Sequence, residues 1–207
     1  MGCKALDVNI ALYPSSVSLG SDDVERTFGD ILRALYMITD LPVSLRISPH
    51  FTDMAKTVQQ LSWMHLAGLS LFNWSPSIDV DIETQSLHVT NAHKSDYGML
   101  PFFDFELKWV AFLRRSISSS LSVSSGHSSY DSLAKAILVG CDAVHFPRAL
   151  NAATLSSLLS DFGLWMSRHN YSKIDDFKGS LALSSTQCAQ NALRLNLIND
   201  VLCNINS

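Results

Sequence analysis

The sequence predicts an α/β protein with about five parallel core strands joined by crossover helices, and three observations predict it. Short apolar runs alternate with longer stretches of helical periodicity. The connections between them are two to seven residues long. Hydrophobic residues make up 47% of the 207 positions against 16% charged, enough for one sizeable core and too few charges for a disordered chain. Strand, helix and strand joined this closely must pair in parallel, because a parallel pair needs a crossover. Strands in such a sheet are expected to be buried on both faces, which suits their continuously apolar look.

The elements follow in order. Residues 5–10 (ALDVNI) read as a first strand ending before Pro14. Residues 22–39 read as a helix, with Val24, Phe28, Ile31, Leu32 and Leu35 on one side, Ser21 as N-cap and two acids in the first turn. VSLRI at 43–47, between Pro42 and Pro49, is the second strand. A helix over 51–67 turns Met54, Val58 and Leu61 inward, and Gly68 opens a third strand, LSLF. Residues 74–103 interrupt the rhythm: Pro76, Asn91, Gly98 and Pro101 punctuate them, while IDVDIE and LHVT alternate like an exposed hairpin. A helix over 104–115 puts Phe105, Trp109, Phe112 and Leu113 on one side. Ten serines then fall within residues 116–132, a linker-like composition. Ile117, Leu121 and Val123 among them mark SLSVSSG as a fourth strand with its terminal loop. A helix at 130–139, a fifth strand AVHF, a long helix at 151–169 and a short helix within 170–179 complete the pattern. The division is one domain over 1–184 and a weakly amphipathic helical tail over 185–207.

Composition excludes several functions. Fifteen basic against 19 acidic side chains leave a formal charge of −4, so nothing points to nucleic acid. No apolar run is long enough to span a bilayer, and MGCKALDVNI lacks the features of a secretory signal. Cys3, Cys141, Cys188 and Cys203 are widely spaced, which reads as a reduced, cytoplasmic chain without structural zinc. Seven histidines include no i, i+4 pair suited to a metal. His145, within an apolar strand, reads as a core histidine, and Asp79, Asp81 and Glu83 as a solvated hairpin face. Cys141 reads as packing. Trp63, Phe105, Trp109, Phe112 and Trp165 read as core aromatics.

Five segments, in order and at matching spacing, resemble the dihydroorotate dehydrogenase-like flavoprotein family: LDVNIALYP, VSLRISPHFTDMAK, LSLFNW-x-x-x-IDVDIE, SVSSGHSSYDSLAKAILVGCDAVHFPRAL and SRHNYSKIDDFKGSL. The resemblance covers about residues 2 to 182 and implies an FMN-binding (β/α)₈ TIM barrel, of which these segments match the fourth to eighth strands. A complete barrel takes roughly 250 residues, so the expectation is an incomplete barrel plus C-terminal helices. Its open strand edges would promote association. A complementing chain or a homo-oligomer would close the sheet, or the C-terminal helices would cover it, or the chain is a fragment of a longer product.

The resemblance also implies a site. Asn9 and Asn73 match asparagines that contact flavin or substrate. Arg46 stands where the family has a lysine facing the flavin, and a charge inside an apolar strand needs a partner or an open cavity in any case. Ser125, Gly126 and His127 match the first phosphate loop, where backbone N–H groups and the following helix N-terminus favour an anion. A strand-to-helix turn using Gly126 for its backbone angles is the bland reading of the same residues. In the second phosphate loop Phe146-Pro147-Arg148 replaces small residues; Pro147 has no N–H to offer, and Arg148 could contact the phosphate instead. The family's base lies in an N-x-S-C-P-N motif after the fourth strand. Here the residues are Asn9-Ile10-Ala11-Leu12-Tyr13-Pro14, so Ala11 and Leu12 cannot take a proton.

The reading that results is an FMN-dependent oxidoreductase with a small-molecule substrate, acting by hydride transfer in pyrimidine-type chemistry. Two alternatives stand beside it: a catalytically silent remnant serving as a binding or assembly module, and a binder of another phosphorylated metabolite.

Overall fold

The computed structural model describes residues 2–10, 12, 20–73, 77–90, 99–125, 129–146, 150–183 and 194. Its order is β1 (Leu6–Asn9), α1 (Ser21–Tyr36), β2 (Val43–Ile47), α2 (Met54–Trp63), β3 (Gly68–Leu71), β4 (Ser77–Asp81), β5 (Ser86–Thr90), α3 (Met99–Leu113), β6 (Ser120–Val123), α4 (Tyr130–Val139), β7 (Ala143–Val144) and α5 (Ala152–Arg168), then a 3₁₀ turn at Ile174–Asp176. Among the described residues the main sheet has five strands in the order β1-β2-β3-β6-β7, and every neighbouring pair is parallel. Spatial order therefore follows chain order, with the antiparallel β4–β5 hairpin inserted between β3 and α3. No described helix is long and apolar enough to cross a membrane.

Local chemistry explains the element ends. Asp53 caps α2 by accepting from the Lys56 N–H, and His65, at φ 60°, turns the chain out of the helix sooner than the expected 67. Ser129 caps α4, and Gly140, at φ 111°, closes it in the left-handed conformation. A side chain there would place Cβ 2.4 Å from Cγ of Arg114, so only glycine fits. Asn151 caps α5 by accepting from the Thr154 N–H. Helix α1 takes Gly20, not Ser21, as its cap, with Asp23 accepting from the Gly20 N–H. Helix α3 starts at Met99, earlier than the expected 104, with Pro101 in its first turn, where proline's missing N–H costs no helical bond.

The two faces of the sheet differ. Val43, Leu45, Ile47, Leu69, Leu71, Leu121 and Val123 are buried under the helices together with Phe28, Leu32, Val58 and Val110. The alternate positions carry Asp7, Asn9, Ser44, Arg46, Ser70 and Ser122. Strand β2 alternates buried and half-buried side chains along its length, and β1 alternates half-buried and exposed ones. The expectation of strands buried on both faces holds for β3, buried at all four positions, and for β6 from Leu121 on; in β1 and β2 it is corrected, because their second face carries polar, partly exposed side chains. A second, smaller core joins Ala134 and Ile137 of α4 to Phe162 of α5 and Phe177, ringed by Trp165 and Tyr171.

One aromatic departs from its expected place. Trp63, read as core, is 67% exposed at the end of α2. The expected tail over 185–207 lies outside the described residues, apart from Arg194.

Candidate functional site on the polar face of the sheet

Because the five strands are parallel, their carboxyl ends share one rim. Asn9 is the last residue of β1 and lies in register with Arg46, the penultimate residue of β2. Asn73 lies two residues beyond β3, buried, and its N–H donates to the Ile47 carbonyl at 2.6 Å. Ser125 lies two residues beyond β6. The structure therefore brings Asn9, Arg46, Asn73 and Ser125 to the ends of four consecutive strands. Gly126, His127 and Arg148 lie outside the described residues, as do Ala11, Tyr13, Pro14 and Pro147.

Arg46 has the partner its position demands: Nη2 donates to Oδ2 of Asp7 at 3.1 Å, across the β1–β2 pair. Beside it the register places Ser70 of β3 and then Ser122 of β6. The two hydroxyls are 2.7 Å apart, and Nε2 of His145 lies 3.2 Å from the Ser122 hydroxyl. His145 is two residues past Ala143, so it falls on the same face as the serines. Its backbone N–H still bonds the Val123 carbonyl at 2.8 Å. It is half-buried and forms part of the wall of an open hollow, which corrects its reading as a core residue. Burial lowers its pKa from the ordinary value, and the Arg46 charge lowers it further, with Asp7 opposing.

That hollow, about 390 Å³, is bounded by Asp7, Ser44, Gly68, Ser70, Ser122 and His145. It extends toward the amino ends of the strands, where Ala5, Pro42, Ala67 and Ser120 also line it. Gly68 keeps it deep: a Cβ there would lie 3.2 Å from the Ser44 hydroxyl.

Ser125 does not present its polar groups to the rim. Its N–H and its hydroxyl both donate to Oε2 of Glu106, at 3.2 and 2.5 Å, and the residue is fully buried. The other carboxylate oxygen accepts from the backbone N–H groups of Phe72 and Ser124, at 3.1 and 3.3 Å, and lies 3.0 Å from the Ser124 hydroxyl. The Ser124 hydroxyl also lies 2.5 Å from the Phe72 carbonyl. Its single proton serves one acceptor at a time. Burial raises the Glu106 pKa to about 7, against the pull of the serine and backbone donors. Sequence reading missed this clasp between α3, β3 and β6. The signal was Glu106 itself, spaced three and four residues from Phe103 and Val110 on the buried stripe of α3.

Cys141 is buried, and desolvation pushes its thiol pKa well up, in keeping with packing. Asp81 caps the hairpin turn by accepting from the N–H groups of Glu83 and Thr84. Among the described residues no cluster of His, Cys, Asp or Glu is arranged to hold a metal ion.

No protein-family model and no curated protein matches the chain.

Proposed function

We propose that the chain is an FMN-binding oxidoreductase module of the dihydroorotate dehydrogenase-like kind, in which the five parallel strands form part of a (β/α)₈ barrel and the polar face of the sheet takes the flavin. The carrying observation is the alignment of Asn9, Arg46, Asn73 and the β6 loop along one rim of a parallel sheet whose strand order matches chain order. Carboxyl-terminal rims are where parallel β/α folds bind ligands.

The residues present fit the ring better than the phosphate. Ser70, Ser122 and Gly68 are small and leave room above the sheet, while Asn9 and Arg46, in register with each other beyond the lining of that hollow, carry an amide and a guanidinium. Ser125, with its donors spent on Glu106, adds no hydrogen bond to a phosphate, which would rest on residues 126–128 and 148. FMN, when bound, would supply hydride acceptance. The protein's part is to orient the ring through Asn9 and Asn73 and to balance charge through Arg46. A small-molecule substrate would bind beside it.

The silent binding module is favoured by two specific features. Arg46 is already paired with Asp7, and the loop after β1 has no base at Ala11 or Leu12. The edges β1 and β7 each have one flank unpaired within the described sheet, which suits a complementing chain or a second copy.

A flavin titration separates these readings. Flavin fluorescence should be quenched on addition of the protein, and Arg46→Ala should weaken the effect about tenfold, the loss of one charge-assisted hydrogen bond. Protein that leaves flavin fluorescence and its own melting temperature unchanged would exclude the FMN reading. Sedimentation as a stable monomer would exclude association through the edges.

A further inference from the structure

We propose that the polar face of the sheet holds a small oxyanion, a carboxylate or phosphate group, between Arg46 of β2 and His145 beyond β7, over the hydroxyls of Ser70 and Ser122, with His145 taking up a proton as the anion binds. This rests on the polar face being the ligand face, and it does not require flavin.

The spacing supports it. Arg46, Ser70 and Ser122 lie in register on three successive strands. At about 4.8 Å per strand, the backbones of Arg46 and Ser122 stand roughly 10 Å apart with Ser70 between them. The His145 ring reaches back over this row to 3.2 Å from the Ser122 hydroxyl, so the two serine hydroxyls lie between the Arg46 and His145 positions. The guanidinium carries five N–H donors. Asp7 takes a bond from Nη2, leaving others for a ligand. The imidazole holds Ser122 through Nε2, and Nδ1 has no hydrogen-bond partner among the described residues.

Electrostatics gives the coupling its sign. The charged groups acting on the His145 ring are Arg46 from β2 and Asp7 from β1, while β3 and β6 contribute hydroxyls. Burial and Arg46 both hold the His145 pKa below its ordinary value. An anion seated between the two offsets both effects, so proton uptake and anion binding favour each other reciprocally.

The test is an NMR titration of the His145 ring, assigned with His145→Gln, in the flavin-free full chain. Inorganic phosphate and acetate form separate arms. Either ion should raise the His145 pKa by about one unit, and the same coupling requires about tenfold tighter binding of that ion below the His145 pKa than above it. Arg46→Gln should abolish the rise, and Asp7→Asn should tighten binding by removing the competing carboxylate. Phosphate acting alone would assign the site to phosphoryl groups, and acetate alone to carboxylates; both outcomes support it. A His145 pKa indifferent to both ions, or equally responsive in Arg46→Gln, would overturn the proposal. Failure of FMN to bind while the His145 response persists would remove the flavin reading and leave this site standing.

Discussion

The two faces of one sheet are built from the same strands, yet they obey different rules. Under the helices, Leu45, Leu69 and Leu121 lie in one lateral row, essentially without solvent exposure, across β2, β3 and β6. One residue along, Arg46, Ser70 and Ser122 form the next row, and the two serines line an open hollow. A parallel sheet normally covers both faces. Here apolar side chains pack one side, and the other carries polar groups: the buried hydroxyls of Ser70 and Ser122 and the partly exposed Asp7–Arg46 pair. Apolar and polar rows are thus separated by single steps along each strand.

Truncation on the packed face should have the largest effect. Leu121→Ala and Leu45→Ala should each cost about 2–5 kcal/mol in chemical denaturation, the usual penalty for a buried leucine, whereas Ser70→Ala should stay within about 1 kcal/mol. Equal losses from both faces would break the contrast.

Glu106 sharpens it, because it is a charge-bearing group on the wrong side. Its pKa of about 7 in the fold lies above its ordinary 4.5, so the folded protein holds this proton more tightly than the unfolded chain does. The associated stability is fully present below about pH 4.5 and is lost as the pH rises through 7. The loss is on the order of 3 kcal/mol across that window. In Glu106→Gln this downward slope should vanish from the pH profile of the denaturation midpoint; an unchanged slope would show that the carboxyl is not buried among these donors.

On the open face, Asp7→Ala should change stability by less than about 1 kcal/mol, because the Asp7–Arg46 pair is partly exposed. The smallest signal is chemical. Cys3, exposed, should react quickly with a thiol reagent, and Cys141 should react only on unfolding. Fast labelling of Cys141 in the folded state would mean that the packed side opens readily.

Much of the packed side was legible in the sequence. The second strand over 43–47, between Pro42 and Pro49, and the helix over 130–139, between Ser129 and Gly140, match to the residue, because prolines and caps punctuate them. The charge of Arg46 inside an apolar strand also called for a partner, and Asp7 supplies it. The sequence misled where local pattern and tertiary placement part. AVHF looks like a buried strand, yet pairing ends at Val144 and His145 turns to the hollow. Ser124 and Ser125 look like the start of a phosphate loop, yet a glutamate 18 or 19 residues earlier takes their donors. Long-range partners of this kind leave no periodic trace. Trp63 satisfies helical spacing, but α2 ends there and leaves it in solvent.

The most direct test of a working polar face is a backbone amide chemical-shift map of the full chain titrated with FMN. The expected result is that shifts concentrate at Asn9, Arg46, Ser70, Ser122 and His145, while Leu45, Leu69 and the helix-side residues stay still. Shifts confined to the helices, or none at saturating flavin, would contradict the assignment of ligand binding to that face.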